Sequence, residues 1–193
     1  MRQIEIKRKV FDIIEQMGEK SYKVSRKGDL YFLKDFGDDK DGFEEFVDDT
    51  NTLKVTGIKT PKVYLYDKNS RIIVMEFIDG CFMSEFLSVQ DPDDSIYQKL
   101  FQTYWFCKVD KIYIDFKPGN FKLYNNNLYY IPFKYKKFVD NNTFLQNDLF
   151  YWFATPKLEE YLGSAGFSFD HKRIKNEYET NKLITLLSIK YYR

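Results

Sequence analysis

The apolar run "RIIVMEFI" (71–78) stops at Asp79-Gly80, and the chain changes character there. Before the break, short apolar stretches are set off by turn signals. "SYKVS" and "LYFLKDF" flank "RKGD", where Gly28 suits a hairpin turn; "TPKVYLYD" and "RIIVMEFI" flank "DKNS". Between the two pairs, after the acid- and glycine-rich "GDDKDG", Phe43, Phe46, Val47, Thr50 and Leu53 share one face of a helix expected over about 43–56, with Gly57 at its C′ position. Residues 1–17 place Ile6, Val10, Ile13, Ile14 and Met17 at helix-like spacing, with Lys and Arg opposite. That pattern predicts an amphipathic helix packed on the body, with membrane-surface or partner binding as the alternative.

After the break the pattern is mostly helical. Ile96, Leu100, Phe101, Tyr104 and Trp105 give residues 94–108 a broad apolar face. A hairpin is expected across Asn125-Asn126-Asn127, an irregular stretch to Asn147, and helices near 148–162 and 171–190 on either side of "GSAG". The expected class is therefore α+β: one domain over 1–193 with a small sheet-rich lobe (about 1–78), a joint near 76–80 and a helical lobe (about 81–193).

Composition removes several classes. With 44% hydrophobic residues in 193, the chain has material for a packed core rather than a disordered tract. Surface aromatics drawn from 16 Tyr and 19 Phe would mark an interface, although core packing is the default. Thirty Lys and Arg against 29 Asp and Glu leave no basic footprint of a nucleic-acid binder. One histidine and no CxxC argue against zinc, and Cys81 and Cys107, each beside Phe, are expected to be buried thiols. No apolar run is long enough to span a bilayer, and the charged N-terminus lacks a signal-type apolar core, so a cytoplasmic protein is expected.

Three features in order suggest chemistry. Lys34 closes the apolar strand "YFLK", where its ammonium would bind phosphate as a point charge, or snorkel to water. The strand ending at Asp79-Gly80 would leave backbone groups for a flat heterocycle. In "IYIDFKPGNF" (112–121), Asp115 would accept a proton from an attacking hydroxyl, Asn120 would offer oxygen to a hard cation, and Lys117 would neutralise transferring phosphoryl charge.

Asp115-Phe116-Lys117-Pro118-Gly119-Asn120 resembles the D-x-K-P-x-N catalytic loop of the protein-kinase-like superfamily. Val74-Met75-Glu76-Phe77-Ile78-Asp79-Gly80 resembles its hinge, and Tyr31-Phe32-Leu33-Lys34 its V-A-I-K strand. Gly18-Glu19-Lys20-Ser21-Tyr22-Lys23-Val24 is similar to the reduced nucleotide loops of RIO-type kinases. "GIKTPKVY" is similar to a stretch of aminoglycoside phosphotransferases and Kdo-type kinases. The resemblance spans roughly residues 17 to 150, in the family's order.

What the resemblance implies is a bilobal kinase-like fold binding ATP with Mg²⁺ or Mn²⁺. Gly18, Ser21 and Val24 would line the nucleotide site. Lys34 would bind phosphate and pair with Glu44 or Glu45, a choice left open. Met75 would sit at the back of the pocket, and Glu76 and Ile78 would meet adenine through their backbone. Asp115 would be the base, Lys117 its cationic neighbour and Asn120 a metal ligand. Asp148 resembles the aspartate that braces the catalytic loop, or is a plain N-cap.

Three departures accompany this. Tyr113-Ile114 stands where His or Arg precedes the catalytic Asp. The nucleotide loop is thin in glycine. Pro132, between Ile131 and Phe133, falls where the D-F-G carboxylate should be, with Lys134 at the Gly position; Asp140 is a candidate replacement. The implied activity is an atypical small kinase acting on a hydroxyl of a protein or small molecule. The alternative is a pseudokinase that senses nucleotide or binds a partner protein. The short segment between Phe133 and Asp148 suits a compact acceptor, self-modification or a partner that supplies contacts better than an extended peptide.

Overall fold

The computed structural model describes residues 2–139 and 144–191. The chain is mixed α and β and forms two compact units: one runs to Val55 and resumes over Thr60–Asp79, and the other takes Thr56–Lys59 and the chain from Gly80 onward.

The first unit is a six-stranded antiparallel sheet with one helix. Its strands are β1 (Gln3–Ile6), β2 (Lys9–Gly18), β3 (Ser21–Arg26), β4 (Asp29–Asp35), β5 (Val63–Asp67) and β6 (Ile72–Glu76), in spatial order β1-β2-β3-β4-β6-β5. Helix α1 (Lys40–Lys54) lies in sequence between β4 and β5. Asp39 caps it by accepting from the Gly42 N–H at 2.9 Å. Phe43, Thr50 and Leu53 are its buried positions, and the Phe43 and Phe46 rings both pack edge-on to Phe36.

The expected N-terminal helix is a β-hairpin. Ile6 and Phe11 enter a core with Val24, Leu33, Ile72 and Val74, while Val10, Ile14 and Met17 stay exposed. Two features conceal the strand in the sequence. Register shifts between Ile13 and Glu15 and between Gln16 and Gly18 break its two-residue alternation. The Lys7-Arg8 turn also adopts φ of 49° and 64° without the usual Gly or Asn. The turns at Lys27-Gly28 and Asn125-Asn126 have the same positive φ at both residues, and those carry the expected residue types.

Gly57 is not the C′ residue of α1, because Val55 is the C-cap with right-handed φ. Its lack of a side chain matters for another reason: a Cβ there would lie 2.3 Å from the Phe106 ring.

In the second unit, β7 (Cys81–Phe82) leads into α2 (Met83–Val89), a short helix with no counterpart in the sequence reading, and then α3 (Asp94–Asp110). β8 (Ile112–Tyr113) enters the loop of interest; β9 (Phe121–Tyr124) and β10 (Asn127–Tyr130) form the expected hairpin. β11 (Lys136–Lys137) pairs antiparallel with β8, and β7 adds to β9. A π-helical turn (Phe144–Asp148) and a 3-10 turn (Leu149–Trp152) occupy the start of the expected 148–162 helix, and α4 (Pro156–Ser164) the rest. The last expected helix begins later, as α5 (Glu177–Tyr191) after a 3-10 turn at His171–Arg173. The core is aromatic: Phe144 stacks on Tyr104 at 4.3 Å and meets Phe116 at 4.8 Å.

Trp105 is 45% exposed and does not join the buried face of α3. Cys107 is buried, and burial pushes its thiol up to about 12, whereas Cys81 is only partly buried. Among the described residues, no helix is long and apolar enough to cross a membrane.

Candidate active site

The segment from Ile112 to Pro118 alternates between core and solvent. Ile114, Phe116 and Pro118 are buried, and Asp115 and Lys117 are exposed. This alternation, imposed by extended backbone, aims both charged side chains outward while the apolar ones anchor the chain. The Phe116 ring lies among Tyr104, Tyr113, Phe121 and Phe144.

Hydrogen bonds fix the loop from within and without. Asp115 Oδ1 accepts the Lys117 N–H at 3.1 Å, and Asn120 Nδ2 donates to Asp115 O at 3.2 Å. Trp152 Nε1 donates to Phe116 O at 2.7 Å, and Tyr97 in turn donates to Trp152 O at 3.0 Å. The Gly119 N–H donates to Tyr161 Oη at 3.0 Å; a Cβ on Gly119 would meet that oxygen at 2.5 Å, so a side chain there would displace Tyr161.

Asp148 braces the same loop. It makes no side-chain cap to the turn that follows it; instead it accepts a hydrogen bond from Tyr113. Burial holds its carboxyl above the usual range; the Asp115 charge adds to this, while the Tyr113 bond, Lys157 and Lys117 pull it back. Burial, then the Asp148 bond and charge, pushes the Tyr113 hydroxyl far up, which keeps it a proton donor.

The Ile131 N–H donates to Asn120 O at 2.9 Å, so Pro132 follows directly on a residue bonded to Asn120. Phe133 is buried with φ of 57°, a left-handed conformation that costs a non-glycine residue about 1–2 kcal/mol. Tyr130 closes this turn by donating to Lys134 O at 2.7 Å.

Comparison with models of known families finds no match, and no curated protein is significantly similar to the chain.

One hard oxygen suits a divalent cation at this loop: Asn120 Oδ1, on an amide whose Nδ2 is tied to Asp115 O. Mg²⁺ commonly takes one or two protein oxygens and completes its shell with phosphate and water, and a single amide oxygen would serve only in that way. It does not make a cage built by protein alone. Pro132 supplies no oxygen side chain, and among the described residues no group of three or more His, Cys, Asp or Glu is placed to hold a metal. Asp140 lies outside the described residues.

In the first unit, Lys34 is paired across the ladder with Ser21. Its Nζ donates to Ser21 Oγ at 3.3 Å and to Glu19 O at 3.4 Å, at the turn that follows Gly18. Register puts Phe32, Ile73 and Met75 on the Lys34 face, with Met75 buried. Val24 is not brought together with them: it lies on the opposite face, 0% exposed in the sheet core. Lys23 takes the Lys34 face instead, its Nζ 4.5 Å from the Phe77 ring centroid.

Glu44 and Glu45 are both exposed on α1, and Glu44 faces Lys40 at 3.7 Å. The Glu76 N–H donates to Lys62 O, and its carboxylate accepts from the Lys62 N–H at 3.1 Å; Ile78 is buried. The residues not foreseen from the sequence are Trp152 and Tyr161; Gly119 stands in the motif as a turn residue, and its bond to Tyr161 is new. Only the D-x-K-P-G-N spacing hinted that something must hold its backbone.

Proposed function

We propose that this chain is a small kinase-like phosphotransferase that passes the γ-phosphoryl group of ATP to a hydroxyl. The two compact units are read as reduced lobes of such a fold. The observation that carries this is the Asp115–Asn120 loop: an exposed carboxylate on backbone immobilised by Trp152, Tyr161 and the Phe116 anchor. Packing alone needs Phe116 and Pro118, and gives no reason for Asp115, Lys117 and Asn120 to share this arrangement. Lys34, on a strand followed by a helix, is consistent with the phosphate lysine of this superfamily.

In this reading the acceptor oxygen bonds to the γ-phosphorus as the bridging oxygen leaves with ADP, and the hydroxyl proton passes to Asp115. Lys34 binds the nucleotide phosphates, with Ser21 and the Gly18 turn beside it. Glu76 and Ile78 present backbone groups to adenine in front of Met75. Lys117 compensates charge on the moving group. Asn120 would hold Mg²⁺ or Mn²⁺, which neutralises phosphate charge when bound. A second reading, a nucleotide-sensing pseudokinase, is favoured by Pro132, which removes a metal carboxylate.

A thermal shift with ATP in EDTA, Mg²⁺ or Mn²⁺ separates the two. ATP at about 100 times Kd stabilises by about 2.7 kcal/mol. A shift that needs the metal supports the transferase, and a metal-independent shift supports the pseudokinase. No shift in any condition contradicts both.

A further inference from the structure

The loop that carries Asp115 and Lys117 is enclosed by a closed circuit of contacts within the second unit. Tyr113, just before Asp115, donates to Asp148. Next to Asp148, the Asn147 carbonyl accepts from Lys157 Nζ at 2.9 Å. That ammonium lies 4.4 Å from the Tyr151 ring centroid, and the Tyr151 and Tyr161 rings meet edge-on at 5.4 Å. Tyr161 Oη then takes the Gly119 N–H at 3.0 Å, which returns the circuit to the loop. Lys136, exposed, is paired opposite Tyr113.

Among the described residues, the chemistry of this rim is one-sided. Asp148 is occupied by Tyr113, and Asp115 is the proposed base. The other described groups of the circuit are three cations, Lys117, Lys136 and Lys157, and two tyrosine rings. Lys117 is the exposed residue after the buried Phe116 of the loop, and Lys157 lies on the carbonyl next to Asp148, which accepts from Tyr113 at the loop's start. Resting on the transferase reading, we propose that this circuit frames the acceptor subsite, and that the acceptor is a compact hydroxyl compound already carrying a phosphate or carboxylate. The anionic group lies against Lys117 and Lys157, its carbon frame on Tyr151 and Tyr161, and its hydroxyl toward Asp115. An extended peptide is disfavoured because the chain after Phe133 is engaged as β11 against β8.

The test compares glycerol 3-phosphate and 3-phosphoglycerate with glycerol, in two readouts on the full chain. Without nucleotide, saturable binding is followed by ligand-observed NMR. With ATP and Mg²⁺, stimulation of ADP release is measured. Binding and stimulation by the phosphorylated probes only are expected. Lys157→Met should raise the half-saturating concentration of the phosphorylated probes about tenfold, the loss of one charge-assisted contact, in the binding and the stimulation readouts alike. Equal action of glycerol, no saturable binding of either phosphorylated probe, or an unchanged Lys157→Met variant overturns the proposal. If ATP stabilises the protein while the probes fail, the subsite falls and the nucleotide reading stands. Lys157-dependent probe binding without any ATP effect leaves the subsite standing and removes the kinase reading.

Discussion

Lys34 and the Asp115 loop are held in different ways. Lys34 Nζ donates to Glu19 O and Ser21 Oγ, at 3.4 and 3.3 Å, in the neighbouring hairpin, and lies 5.9 Å from the Phe36 ring centroid. The Asp115 loop is tied by Tyr113–Asp148, Trp152–Phe116 and Gly119–Tyr161 bonds across 35 to 42 residues of sequence, over a buried aromatic anchor. A flexible ammonium on long, replaceable bonds can move to a ligand at little cost. A loop clamped at both ends and in its middle is set before any ligand arrives, as electrostatic catalysis requires.

Substitutions can break this contrast. Phe116→Ala removes a fully buried ring at the centre of the clamp, and urea unfolding should show a loss of about 3–5 kcal/mol. Trp152→Phe keeps most of the ring but leaves Phe116 O without its partner, which should cost about 1–3 kcal/mol in the same assay.

The brace at Asp148 has a pH signature. Its folded-state value is raised above 3.8, so the native state holds that proton to higher pH than the unfolded chain. The resulting stability is present below the ordinary value and lost as pH rises through the raised one. Relative to Asp148→Asn, the wild type should therefore lose stability as pH rises from the ordinary carboxylate range through the raised one in parallel denaturant titrations. Lys34→Met should be the mildest, shifting stability by about 0.5 kcal/mol or less while removing most ATP-dependent stabilisation. A large loss of intrinsic stability would mean that Lys34 is structural.

The same contrast explains what could be read in the sequence. The Ser21–Asp35 hairpin was legible because Gly28 marks its turn and the flanking strands are apolar. The β1–β2 hairpin was not, because Lys7-Arg8 gives no turn signal and two register shifts spoil the alternation of β2. At the candidate site, Asp115, Lys117 and Asn120 stand within one local motif and could be named from it. Tyr161 and Trp152 depend on contacts between distant segments, which spacing cannot reveal; Asp148 could be named as a brace or a cap by resemblance, and only the fold shows that it takes a bond from Tyr113 and caps nothing. Val24 was named by resemblance to a nucleotide loop, and the strand's alternation turns it to the face opposite Lys34.

The most direct test of the account is γ-phosphoryl transfer from labelled ATP, with Mg²⁺ or Mn²⁺, by the wild type and by Asp115→Ala. Asp115 is exposed, so the variant should melt with the wild type, while transfer should fall about 10²- to 10⁴-fold, the usual contribution of a positioned base. Transfer that survives Asp115→Ala, or a wild type that binds ATP without transferring phosphate, would contradict it.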